Sequence, residues 1–142
     1  MAFREKIAWL TLGTMLAAYG LYFGVIGPAA RFGEERLADI IWSFGLVAAA
    51  HAVVMIAGAI AIAVSATREA NAPLDERDKA IARRAANVAY YVLLVGLIFV
   101  GIVMPFSEPA WKIVNMALVA IVVAETVRYG IVLLSYRRGW HG

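Results

Sequence analysis

Three side chains that can carry charge or move a proton lie inside otherwise apolar sequence: His51, Glu125 and Arg128. Glu125 and Arg128 are three residues apart, so on a helix they share a face and can neutralise each other. That pair fits a structural ion pair, part of a transport path, or a contact with a second protomer or a lipid. The position of His51 within an apolar stretch is typical of a neutral histidine that forms a hydrogen bond to a neighbouring helix. The alternative is a gating or proton-relay role with Glu125.

The residue inventory argues against an enzyme. The chain of 142 residues contains no cysteine and two histidines, which excludes thiolate nucleophiles, iron–sulfur clusters and a multi-histidine metal site within one protomer. Neither a phosphate-binding glycine loop nor a nucleophile–base set is found. We therefore expect a non-enzymatic protein with no metal and no cofactor.

A second group of charged residues lies in a polar segment in the middle of the chain. Asp75 is a good helix N-cap, and Asp78 three residues later approximates a capping box. No helix breaker follows before Gly96 and Pro105, so the pattern predicts one helix from about 76 to 104. The candidate binding residues of this segment are Asp75, Glu76, Arg77, Asp78, Arg83 and Arg84.

This charged segment has three interpretations. It fits an anchor that sets membrane topology and caps a helix. It also fits a docking surface for a soluble protein, because charged pairs on an exposed helix are what a partner can recognise. The adjacent Arg83 and Arg84 fit binding of anionic lipid headgroups.

The elements that must position these residues are membrane-spanning helices. The chain is 63% hydrophobic and 16% charged, whereas soluble domains average roughly 45–50% and about 25%. Apolar stretches at 7–30, 40–67, 85–107 and 113–136 contain only Glu125 and Arg128 among all charged residues. Each exceeds the ~20 residues that cross a bilayer as a helix. We predict a single membrane domain, 1–142, with spans at about 7–28, 40–66, 85–105 and 111–136.

Basic residues predict the orientation of this all-α, four-helix transmembrane bundle. Placing both termini in the cytoplasm puts nine Lys and Arg residues inside and three outside, which satisfies the positive-inside rule. The loop at 67–84 and the extended start of the third helix then lie in the cytoplasm. A net charge of +3 in so apolar a chain indicates proximity to anionic lipid rather than direct nucleic-acid binding.

Gly20 and Gly24 form a pair of small residues four apart in the first span. Such spacing lets a second helix approach closely. The pair fits ordinary packing within the bundle, and a homodimer seam is the alternative.

The third span is preceded by the motif Asp75-Glu76-Arg77-Asp78-x-x-Ile81-x-x-Arg84-Ala85, with Ala89-Tyr90-Tyr91 after it. An acid and a base in the fourth span then precede a basic tail. This arrangement, which covers roughly the second half of the chain, resembles a family of small predicted bacterial membrane proteins of uncharacterised function. The resemblance implies a membrane-bound antagonist or sensor that works with a small helix-turn-helix regulator.

Two functional hypotheses follow for a multi-pass protein of the bacterial cytoplasmic (inner) membrane. The first is a regulatory or scaffold protein whose cytoplasmic loop and third-helix start dock a soluble partner, such as a helix-turn-helix regulator. The second is a small oligomeric transporter or channel that uses Glu125, Arg128 and His51.

Overall fold

The computed structural model describes residues 3–26, 37–71, 73 and 75–138. This part of the chain is helical, with four long helices: α1 (Phe3–Leu21), α2 (Leu37–Ser65), α3 (Glu76–Ile98) and α4 (Ala110–Arg137). A π-helical turn, Tyr22–Ile26, extends α1, and a short helical turn, Thr67–Ala70, follows α2. A π-helical turn, Phe99–Val103, and a 3-10 turn, Met104–Phe106, extend α3.

Four helical segments are long and apolar enough to cross a membrane: Phe3–Val25, Leu37–Ser65, Glu76–Phe106 and Ala110–Arg137. The prediction of an all-helical chain with four candidate spans is therefore confirmed. Residues 27 and 28 of the predicted first span lie outside the described residues. Two of the three basic residues that the orientation prediction counts on the outer side, Arg31 and Arg36, also lie outside them.

The start of α3 shows why the helix begins where it does. The Asp75 carboxylate accepts a hydrogen bond of 2.6 Å from the backbone N–H of Asp78, which satisfies one of the free amides of the first turn. The N-cap prediction is confirmed. A helical path then continues from Glu76 to Phe106 through three helix types, with Pro105 inside the final 3-10 turn.

Helix order in the bundle follows from the contacts. The most extensive packing joins α3 to α4, while α1 packs against both α2 and α4, and α2 touches α4 only briefly. A Cβ atom at Gly96 would lie 2.8 Å from the Ala120 Cβ, so the absent side chain permits the close approach of α3 and α4. By contrast, no described atom beyond the local helix backbone lies within 4 Å of a Cβ at Gly20 or Gly24, so the predicted close packing is not found there.

Helix α2 lies at the edge of the bundle. Within its most apolar stretch of 18 residues, no residue is buried inside the bundle. Its large side chains face outward along much of its length, as the exposure of Ile41, Leu46 and Ile56 shows. Outward apolar side chains are what a membrane-spanning helix presents to lipid.

Candidate functional site

Three helices converge on Asp78 at one end of the bundle. The Asp78 Oδ2 lies 2.7 Å from Arg4 Nε of α1, and the Tyr136 hydroxyl of α4 donates a 2.5 Å hydrogen bond to Asp78 Oδ1. The Asp78 side chain is 17% exposed and that of Arg4 is 32% exposed. We call Arg4, Asp78 and Tyr136 the Asp78 cluster. It joins the start of α1, the start of α3 and the end of α4.

A small pocket of about 220 Å³ opens beside the Asp78 cluster. Its remaining wall is mostly apolar and includes Phe3, Ile7, Ile81 and Val132. Both carboxylate oxygens of Asp78 are already engaged by protein groups. The arrangement is therefore suited to fastening helices together, because charge-assisted bonds in a half-buried site resist separation of their partners.

Arg4 and Tyr136 were not among the candidate site residues of the sequence. Each is a residue type that commonly flanks a membrane span, so neither attracts attention alone. Their sequence separations from Asp78 are 74 and 58 residues. The sequence signal was the alternating direction of four successive spans, which brings the starts of α1 and α3 and the end of α4 to one side.

The other charged residues at the start of α3 face different directions. Glu76, with an 89% exposed side chain, pairs with Lys79 at 2.7 Å. Arg83 is also exposed, and the spacing from Glu76 to Lys79 to Arg83 places the three on one helix face. We call Glu76, Lys79 and Arg83 the α3 ridge.

The face of α3 opposite the ridge is fixed in the bundle. Ile81, Ala85 and Ala89 are buried at intervals of four residues, which is the spacing of one helix face. Asp78 lies beside them and is bound to α1 and α4. Packing therefore holds the α3 ridge in a defined orientation.

The remaining candidate binding residues lie at the margins of the ridge. Asp75 is exposed and serves as the helix cap. Arg77 and Arg84 are seven residues apart and share a face. Arg84 lines a pocket of about 290 Å³ between α3 and α4, together with Ile131, Leu134, Ser135 and Arg138.

His51 contacts α1. Its Nε2 lies 3.1 Å from the Thr14 hydroxyl oxygen, and that hydroxyl donates to the Leu10 carbonyl at 2.7 Å. When the single hydroxyl proton is used there, His51 completes the contact by donating a proton carried on its own Nε2. The Tyr19 ring packs edge-on against the His51 ring, with centroids 5.5 Å apart.

Glu125 and Arg128 form an ion pair within α4. The Arg128 Nη1 lies 3.4 Å from both carboxylate oxygens of Glu125. Their side chains are 40% and 44% exposed. A charged residue at the centre of a membrane helix costs ~2.5–3.5 kcal/mol on insertion scales, so half exposure of two charges is expensive if lipid surrounds them.

The three ionisable residues of the spans do not meet at one site. His51 lines an apolar groove of about 380 Å³ between α1 and α2, and neither Glu125 nor Arg128 lines that groove. Glu125 has its ionic partner on its own helix. Within the part of the chain that the structure describes, no group of three His, Asp or Glu side chains is arranged to hold a metal ion.

The profile of a family described as "Predicted membrane protein (DUF2178)" matches residues 4–140. The chain belongs to this family. The match runs through all four helices, and the family description agrees with the membrane character that composition and helix length indicate. A comparison with curated proteins and another with solved structures found no match.

Proposed function

We propose that this membrane protein is a non-enzymatic scaffold or regulator of the bacterial cytoplasmic membrane, and that the α3 ridge docks a soluble protein. One observation carries the proposal: a charged helix face is exposed while the opposite face is locked into the bundle by Ile81, Ala85 and the Asp78 cluster. A surface fixed in this way is preorganised, so a partner binds without an added cost of ordering it.

The proposed orientation places the Asp78 end of the bundle in the cytoplasm. It is supported by the ratio of nine basic residues to three. The helical segment Glu76–Phe106 has 31 residues, or about 46 Å at 1.5 Å per residue, against a hydrocarbon core of about 30 Å. The excess length supports a start of α3 that projects beyond the lipid, where a soluble protein can reach the ridge.

The proposed partner is a protein whose surface complements one acidic and two basic side chains, in the order Glu76, Lys79, Arg83. A small helix-turn-helix regulator is the class that the family resemblance implies. Docking to the membrane would hold such a regulator away from its target. The ridge would then set recognition chiefly through charge complementarity, which governs specificity and association rate.

The test exchanges the charges at the two ends of the ridge. The double variant Glu76→Lys/Arg83→Glu keeps the number of Lys and Arg residues at this end, so it preserves the basis of the orientation. We expect at least a 10-fold weaker affinity for a purified helix-turn-helix regulator that binds the natural chain, measured with the full chain in lipid nanodiscs.

The matched control is Glu108→Lys/Lys112→Glu, which exchanges an acid and a base at the opposite end of the bundle, where Glu108 pairs with Lys112 at 2.7 Å. It should leave regulator binding unchanged. Equal binding by the ridge variant, in the correct orientation, would refute docking at the ridge.

A small oligomeric transporter is the second candidate. It is favoured by the half-exposed Glu125 and Arg128 within a candidate span, since intramembrane charges commonly line pathways. The position of His51 in a separate groove argues against a path shared by all three residues. Loss of ion flux into proteoliposomes on Glu125→Gln, with regulator binding retained, would favour this candidate over the scaffold.

A further inference from the structure

The Glu125–Arg128 pair lies near the middle of α4. Glu125 is 15 residues after Ala110 and 12 residues before Arg137 in a helix of 28 residues. At 1.5 Å per residue, these separations are about 22 Å and 18 Å. The Glu125 side chain is too short to carry its carboxylate from that depth to the membrane surface.

Within a single copy of the chain, the Glu125–Arg128 pair stays half-exposed. Among the described residues, its ionic contact is confined to α4, and the other charged contact is the Arg128 guanidinium 5.6 Å from the ring centroid of the neighbouring Tyr129. Ile121 lies on the same face, four residues before Glu125, and is 47% exposed. Charged residues in membrane helices nearly always face other protein or a water-filled cavity, so a further surface is needed here.

We propose that a second copy of this chain covers the face formed by Ile121, Glu125 and Arg128, and that Glu125 of each copy pairs with Arg128 of the partner subunit. This proposal does not depend on the proposed function of the α3 ridge. It gives two intersubunit ion pairs where each separate copy has one half-exposed intrahelical pair.

Charge complementarity selects a second copy as the occupant. A twofold axis along the membrane normal brings the same α4 face of two parallel helices together, as a self-complementary interface requires. Glu125 and Arg128 differ in height by about 4.5 Å, which long side chains can span. The face carries one acid and one base, so it complements itself without any change of charge.

The first test uses charge reversal in trans. A Glu125→Arg copy has two cations on this face, and an Arg128→Glu copy has two carboxylates, so each should repel its own kind. Mixed together in liposomes, the two variants should form heterodimers, because every acid then faces a base. We expect at least a 10-fold stronger association of the mixture than of either variant alone, measured by energy transfer between labelled full-length chains.

The double variant Glu125→Arg/Arg128→Glu restores a balanced face and should dimerise like the natural sequence. This variant separates loss of folding from loss of pairing. Failure of the mixture to associate, with both variants inserted, would overturn the proposal. A monomeric natural chain at all protein-to-lipid ratios would overturn it as well.

A second measurement leaves both charges intact. The sequence contains no cysteine, so Ile121→Cys introduces a single thiol on the proposed interface. The matched control is Val123→Cys, at a residue of nearly equal exposure, 45%, on another face of α4. We expect at least 10-fold more oxidative crosslinking at position 121, and equal or greater crosslinking at position 123 would contradict the proposed face.

Discussion

Two acid–base pairs of the same chemical type occupy different places in this molecule. The Arg4–Asp78 pair joins α1 to α3 at 2.7 Å, and the Tyr136 hydroxyl from α4 engages the second oxygen of Asp78. The Glu125–Arg128 pair lies within α4 at 3.4 Å, with both side chains half-exposed. Together with Tyr136, the first pair joins three helices, whereas the second joins none.

The difference shows that the contribution of a charged pair to the stability of the bundle depends on which helices its partners come from. At the end of the bundle, Asp78 exchanges contact with water for contact with three protein partners. Arg4 and Tyr136 bind its carboxylate, and Asp75 accepts a hydrogen bond from its backbone N–H. Such a pair can stabilise the bundle because its partners come from different helices. In mid-span, a pair within one helix reduces the cost of its own charges but adds nothing to helix association.

The largest expected effect comes from removing the centre of the Asp78 cluster. Asp78→Ala should lower the free energy of unfolding by about 2–3 kcal/mol, because Arg4 loses its half-buried ion pair and Tyr136 its acceptor. Unfolding by sodium dodecyl sulfate in mixed micelles measures this quantity for a helical membrane protein.

The control for this variant is Glu76→Ala, which removes a nearby carboxylate that is almost fully exposed. Its effect should stay within about 0.5 kcal/mol, as is usual for surface substitutions. Equal losses for the two variants would mean that the cluster adds no more stability than an exposed pair, and the contrast between the two regions would disappear.

A smaller effect is expected when only one bond of the cluster is removed. Tyr136→Phe retains the ring and removes the hydroxyl that donates to Asp78. The free energy of unfolding should fall by about 1 kcal/mol, the usual value of one hydrogen bond. Combining Tyr136→Phe with Asp78→Ala should cost little more than Asp78→Ala alone, since both remove the same bond. Additive losses in this double-mutant cycle would show that the two residues act independently.

The helices and the cap of α3 could be predicted from sequence because they depend on local properties. Hydrocarbon requires every backbone amide to be bonded within the helix, so an apolar stretch of sufficient length predicts a span. Asp75 caps α3 through a residue only three positions away. Both signals lie within a few residues of the feature that they predict.

The Asp78 cluster could not be predicted in the same way. In a soluble helix, the apolar face marks the side that packs. Along the spans, lipid and the interior of the bundle are both apolar, so hydropathy does not distinguish the packed face from the exposed one. At the start of α3, the consecutive charged residues Glu76, Arg77 and Asp78 point in different directions around the helix, so charge alone does not indicate which of them packs inward. The inward position of Asp78 and outward position of Glu76 therefore required the helix packing itself, as did the separation of His51 from Glu125.

The smallest expected effect on the stability of a single copy belongs to the mid-span pair. Glu125→Gln/Arg128→Gln removes both charges together, so no unpaired charge is left behind. An intrahelical pair of this spacing stabilises a helix by about 0.2–0.5 kcal/mol, and its loss is offset by the lower cost of burying neutral amides. Unfolding of the monomeric chain should thus change by less than about 0.5 kcal/mol. The matched variant Arg4→Gln/Asp78→Asn, measured under the same conditions, should lose about 1–2 kcal/mol, because neutral amides form weaker bonds between the helices than charged groups. If the mid-span variant destabilised the isolated bundle as much as the end variant, Glu125 and Arg128 would already be holding this bundle together, and the half-exposed pair would need no partner subunit to explain it.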